Sequence, residues 1–182
     1  MAPVIVVTGP SGVGKGTLIA RLRERIPELA LSVSVTTRSP RRGEEQGVAY
    51  HFIDDAGFDQ HLEANDFVEH ATYAGNRYGT LRRELERGDG RPVVLEIELQ
   101  GARQIRQQMP AALQIFVAPP SAETLRERLA ERGTDTESQI ADRLATAREE
   151  LAARDEFATT VVNDDLDTAV DELERIVRQQ LH

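Results

Sequence analysis

The apolar run Val4-Ile5-Val6-Val7 leads directly into Gly9-Pro10-Ser11-Gly12-Val13-Gly14-Lys15-Gly16-Thr17, and this passage constrains the chain more than any other. A strand, a glycine-rich turn and a helix start, in that order, make a frame in which backbone N–H groups curl around a phosphate. A lysine at this slot reaches the outer phosphate oxygens. Lys15 is the only lysine in 182 residues, whereas 21 positions carry arginine. A slim, flexible point charge suits such a loop better than a planar guanidinium fork. The passage therefore predicts binding of a nucleoside triphosphate through residues 9–17.

The length suits one domain with a sizeable core. There is no cysteine, which excludes disulfides and thiolate metal sites. No stretch approaches the ~18 apolar residues of a membrane span, and the N-terminus lacks the charged and apolar regions of a signal peptide. A cytoplasmic location is the expectation. Lys+Arg 22 against Asp+Glu 31 gives a net charge of −9, which argues against a polynucleotide partner. An acidic chain that binds phosphates has to gather its cations locally, as Arg38, Arg41 and Arg42 do.

Apolar runs and helical stripes alternate along the chain, the pattern of a parallel sheet covered by helices. Strands are predicted at Val4–Thr8, Leu31–Val35, Phe67–Tyr73, Val93–Ile97, Leu113–Ala118 and Thr160–Val162. Helices are predicted at Lys15–Arg25, Phe58–Ala64, Leu81–Arg87, Ala102–Gln108, Ala122–Arg132, Glu137–Arg154 and Asp165–Gln180. The last carries a full stripe (Leu166, Ala169, Val170, Leu173, Ile176, Val177) with Asp164 or Asp165 as its cap. The Glu137–Arg154 stripe is thinner, which predicts a weakly anchored, moving helix. Residues 36–50 are polar and turn-rich, a long loop of the kind that carries function.

That loop, with the segments around it, closely resembles guanylate kinases. The resemblance lies in Ser32-Val33-Ser34-Val35-Thr36-Thr37-Arg38-Ser39-Pro40-Arg41-Arg42-Gly43-Glu44 and Gly47-Val48-Ala49-Tyr50-His51-Phe52. It continues in Phe67-Val68-Glu69-His70, Gly75-Asn76-Arg77-Tyr78-Gly79-Thr80, Leu95 to Ala102, Arg132-Gly133-Thr134 with Arg143, and Val162-Asn163-Asp164-Asp165. It implies an α/β P-loop nucleoside monophosphate kinase fold, a parallel central sheet flanked by helices. The whole chain, 1–182, would be one such domain, with a GMP-binding insert at about 34–80 and a lid region at about 122–154. The implied reaction is ATP + GMP → ADP + GDP, with ATP and GMP as partners, no polynucleotide, no membrane, and a monomer or homo-oligomer as the assembly.

The resemblance also implies roles. Arg38 and Arg41 would offer forks to the GMP phosphate, joined by the hydroxyls of Tyr50 and Tyr78. Glu69 would read guanine, because an acceptor-only carboxylate can pair with two adjacent donors, N1–H and the 2-amino group; Ser34 and Thr80 would assist. Lys15, Arg132 and Arg143 would act on the transferring phosphoryl group. Asn163 would sit beside the adenine of ATP or cap a loop. Two positions depart from the family pattern: Gly16 stands where Ser is usual, and Glu98 where Asp is usual. Mg²⁺ is the implied cofactor, held mainly by phosphates and water, with Thr17 and Glu98 the candidates for direct ligands. His51, His61, His70 and His182 show no metal or catalytic spacing. Another small-molecule P-loop kinase, or a non-catalytic guanylate-kinase-like binding module, are the alternatives.

Overall fold

A computed structural model describes residues 2–86, 88–131 and 137–181. In chain order the elements are β1 (Val4–Thr8), α1 (Lys15–Arg25), β2 (Ala30–Leu31), β3 (Val35–Thr36), β4 (His51–Phe52), α2 (Asp55–Glu63), β5 (Phe67–Tyr73) and β6 (Asn76–Leu81). There follow α3 (Arg82–Glu86), β7 (Val93–Glu96), α4 (Leu99–Gln108), β8 (Leu113–Ala118), α5 (Ala122–Glu131), α6 (Glu137–Ala152), β9 (Thr159–Val162) and α7 (Leu166–Leu181). Five strands form one sheet in the order β2-β7-β1-β8-β9. All five residues of β1 are buried, as an apolar run in the middle of a helix-covered sheet requires. The β2–β7 and β8–β9 ladders are parallel.

The chain divides into two compact units, Met1–Ile5 with Glu28–Ala112, and Val6–Pro27 with Leu113–His182. The first unit holds a second sheet of four strands in the order β4-β3-β6-β5. It contains parallel and antiparallel pairs: β3 runs parallel to β4, while β6 runs antiparallel to both β3 and β5. Here the structure corrects the sequence reading. The strand expected at Leu31–Val35 is two short strands in different sheets, with residues 32–34 passing between them. Strands β4 and β6 were not expected, because neither shows an alternating apolar pattern. A two-residue turn, Ala74 (φ 48°) and Gly75 (φ 75°), joins β5 to β6. Positive φ at both positions matches the right-handed twist of the hairpin. Phe58 stacks on Phe67 at 4.6 Å, and with Val35 and Leu81 they form a buried cluster under this sheet.

Helix α2 begins three residues before the expected Phe58, where Asp54 caps it by accepting from Gly57 N. Helix α4 likewise begins at Leu99 rather than Ala102, with Glu98 in the cap position. Phe58 and Ala102, the expected starts, lie one turn inside the helix ends.

In the second unit α1 packs on α7. Helix α7 buries Ala169, Val170, Leu173 and Val177, and Asp165 Oδ1 accepts from Thr168 N at 2.9 Å, so the cap belongs to Asp165. Helix α6 has the same length but buries only Ala147 and Glu150, and it ends at Ala152, before a 3₁₀ turn at Arg154–Glu156. The Arg132 end of the helix expected at 122–132, the Arg87 end of the one expected at 81–87, and His182 lie outside the described residues. No described helix is long and apolar enough to cross a membrane.

Candidate active site

The second unit carries the glycine-rich loop between β1 and α1. Gly14 occupies the N-cap of α1 at φ 95°, with no side-chain cap and no acidic residue in the first turn. The first N–H groups of a helix have no intrahelical partner, and they carry the positive end of its dipole. Leaving them uncapped by a side chain suits an anion. A Cβ at Gly14 would lie 2.6 Å from Asn163 Nδ2, which donates to Val13 O at 2.8 Å. Asn163 is buried at the end of β9, and its own N–H donates to Ala118 O. Of the two roles expected for Asn163, this contact is the loop-capping kind.

Lys15 Nζ donates to Gly9 O at 2.6 Å and to Pro10 O at 3.2 Å. An ammonium has three donors, so one remains for a ligand. Arg143 Nη1 donates to Ser11 Oγ at 3.0 Å, which places this α6 arginine on the same loop. Thr17 is exposed in the first turn of α1. Arg132 lies outside the described residues.

The first unit carries the residues expected around GMP. Thr80 Oγ1 donates to Glu69 Oε1 at 2.7 Å, and Ser34 Oγ lies 3.3 Å from Thr80 Oγ1. The three residues singled out for guanine thus form one hydrogen-bonded row. Glu69 is the third residue of β5, whose bounds are those expected from the sequence. The register slips between Phe67 and Glu69, a bulge of the sort that re-aims a side chain. Glu69 is 3% exposed. Burial pushes its carboxyl up from the ordinary 4.5 to about 7, against the opposing hydrogen bonds of Thr80, and the nearby Glu98 charge pushes the same way.

Tyr50 and Tyr78 meet edge-to-face at 6.0 Å, and the Arg38 guanidinium lies 5.4 Å from the Tyr50 ring centre. Burial, reinforced by Glu96, pushes the Tyr50 hydroxyl up to about 12, so it stays a donor at neutral pH. Arg41 is exposed. Glu98 Oε2 is buried and has no hydrogen-bond partner among the described residues, and its side chain does not cap α4.

Three residues escaped sequence reasoning. Glu44 takes both arms of the Arg38 fork, at 3.0 and 2.9 Å, and accepts from Arg41 N at 2.7 Å. Burial works against both charges of this pair, yet the mutual hydrogen bonds hold the Arg38 proton more firmly and the Glu44 carboxyl below its usual range. Glu84, buried in α3, accepts from Val33 N at 2.9 Å and lies 3.6 Å from His51 Nε2. It ties the chain before Ser34 to the chain after Tyr50. In the sequence it is one of two acids on a short charged helix. The third is Gly101, buried in the first turn of α4.

An α/β fold with a glycine-rich loop between its first strand and first helix, a lysine at the end of that loop and an α6 arginine bonded to it, defines a P-loop-kinase-like protein. The protein-family model described as guanylate kinase matches residues 1–180. The chain is 53% identical over 176 residues to a guanylate kinase of Synechococcus sp. (strain JA-3-3Ab), covering 96% of this chain and 81% of that one. It is 54% identical over 170 residues to a guanylate kinase of Thermobifida fusca, covering 92% and 87%. The crystal structure of guanylate kinase from Anaplasma phagocytophilum superposes with a TM-score of 0.81 at 31% identity, covering 98% of this chain and 86% of that one. The chain belongs to the guanylate kinase family.

Proposed function

We propose that this chain transfers the γ-phosphoryl group of ATP to GMP, giving ADP and GDP, in the cytoplasm. The observation that carries the choice of acceptor is Glu69, a nearly inaccessible carboxylate held on one side by a hydroxyl. Guanine presents two adjacent donors to such a group; adenine presents none at those positions.

On the donor side, the Gly9–Thr17 loop receives the triphosphate, with Lys15 on its outer oxygens and Asn163 holding the loop in shape. On the acceptor side, Arg38, Arg41, Tyr50 and Tyr78 orient the GMP phosphate, while Ser34, Glu69 and Thr80 hold the base. That phosphate has a second pKa of about 6, so it is mostly a dianion at neutral pH and needs no general base. One of its oxygens bonds to the γ-phosphorus as the bond from that phosphorus to the bridging oxygen breaks, and ADP leaves with the electron pair. Catalysis then consists of alignment and charge neutralisation, the work of Lys15, Arg143 and Arg132, the last two on a lid region at about 122–154. Residues 34–80 form the GMP-binding insert.

Mg²⁺ would come as an ion carried by the nucleotide rather than held in a protein cage. No group of three His, Asp or Glu side chains among the described residues could cage a metal. The exposed Thr17 hydroxyl offers one ligand on the donor side, and Glu98 Oε2, without a hydrogen-bond partner among the described residues, offers an acceptor on the GMP side. When bound, the ion spreads the phosphate charge.

A coupled ADP-release assay with ATP and Mg²⁺ over GMP, dGMP, AMP, CMP and UMP tests the reading. GMP should exceed AMP by about 10⁴-fold in kcat/KM, the margin of sites built around hydrogen bonds the wrong substrate cannot make. Preference for AMP would assign another kinase, and GMP binding without turnover a binding module.

A further inference from the structure

Gly101 stands in the first turn of α4, where glycine costs helix stability relative to alanine, and it is buried. Its surroundings account for it. A Cβ built there would lie 2.0 Å from Glu69 Oε2 and 2.9 Å from Glu69 Cδ. Helix α4 packs on β5, so the first turn of the helix is the wall against which the Glu69 carboxylate rests. Thr80 fixes one oxygen of that carboxylate, and the bare face of residue 101 leaves room for the other.

We propose that Gly101 is a positioning residue for base choice: by lacking a side chain it admits the Glu69 carboxylate to the one orientation in which both oxygens can serve guanine. The inference rests on Glu69 reading the base, as proposed above. Any side chain at 101 collides first with the far end of Glu69, the most easily rotated atoms nearby. The carboxylate gives way and the helix stays. Gly101→Ala therefore keeps the fold, gains helix propensity, and loses recognition of the 2-amino group.

The test measures kcat/KM for GMP and for IMP, which retains N1–H but lacks the 2-amino group. It uses the unmodified protein, Gly101→Ala, Glu69→Gln and the double variant, with ATP affinity and thermal midpoint alongside. In the unmodified protein GMP should exceed IMP by roughly 10²-fold or more. Gly101→Ala should shrink that ratio at least tenfold, leaving ATP affinity and the melting temperature close to unchanged. The double variant should be no worse than Glu69→Gln alone, because both changes act through one carboxylate. A Gly101→Ala protein that keeps its GMP:IMP ratio, fails to fold, or multiplies the Glu69→Gln effect would overturn the proposal. If Glu69→Gln itself leaves the ratio intact, the reading of Glu69 fails, a separate result from failure at Gly101.

Discussion

Glu69 holds its proton to about 7 in the folded protein and to about 4.5 when exposed. Between those values the native state binds more protons than the unfolded chain, so stability falls as pH rises through this window. The cost is absent below about 4.5 and complete above about 7, where it reaches on the order of 3 kcal/mol. Urea unfolding of Glu69→Gln, which carries no charge at either end, should show a flatter pH profile. It should also show a gain of up to that amount at pH 8, with roughly 10²-fold lower kcat/KM for GMP. Equal pH profiles for the two proteins would mean that folding does not shift the Glu69 carboxyl. Much at this scale was legible. Lys15 stood out by composition, and Ser34, Glu69 and Thr80 by family spacing. Glu44, Glu84 and Gly101 were not, because what singles them out is a neighbour: Arg38 across a loop, Val33 N in another segment, a carboxylate on the facing strand.

Among elements, the sequence conveyed the parallel strands and the long helices through their apolar stripes, and it missed the second sheet. Strand β6 begins Asn76-Arg77-Tyr78-Gly79, which alternates nothing; it is a strand because β5 and β3 pair with it on both sides. The turn that folds it back carries Ala74 at φ 48°, where Asn or Gly would have announced a hairpin. An alanine in the left-handed region costs roughly 1 kcal/mol. Ala74 is exposed, so Ala74→Asn should raise stability by about 0.5–1 kcal/mol in urea denaturation and leave kcat/KM for GMP unchanged. A loss of stability would show that the turn does not hold its positive φ in solution.

At the scale of the whole molecule, the proposed acceptor residues from Ser34 to Glu98 all fall in one compact unit. The described donor residues Lys15, Thr17, Arg143 and Asn163 fall in the other. Each nucleotide should then stiffen its own unit. In hydrogen exchange, GMP alone should slow peptides within 28–112, and ATP alone those within 6–27, 113–131 and 137–181. A ligand at a hundredfold excess over its Kd adds about 2.7 kcal/mol against opening of the state it binds. Helix α6, with two buried residues, should exchange faster than α7, with four. Protection by GMP confined to residues 6–27 would reverse the assignment of the units.

Lys15 ties these scales together as an instrument. Its Nζ is held by two carbonyls of its own loop and has no lysine elsewhere to be confused with. Protein grown on ¹⁵N-lysine would carry one labelled ammonium and one labelled lysine amide, both at the mouth of the phosphate loop. A heteronuclear spectrum of two cross-peaks, read without assignment, would follow the loop through titration with ATP. The side-chain signal should move as its partners change from carbonyl to phosphate oxygens. A kinase of ordinary composition would bury that signal among those of its other lysines.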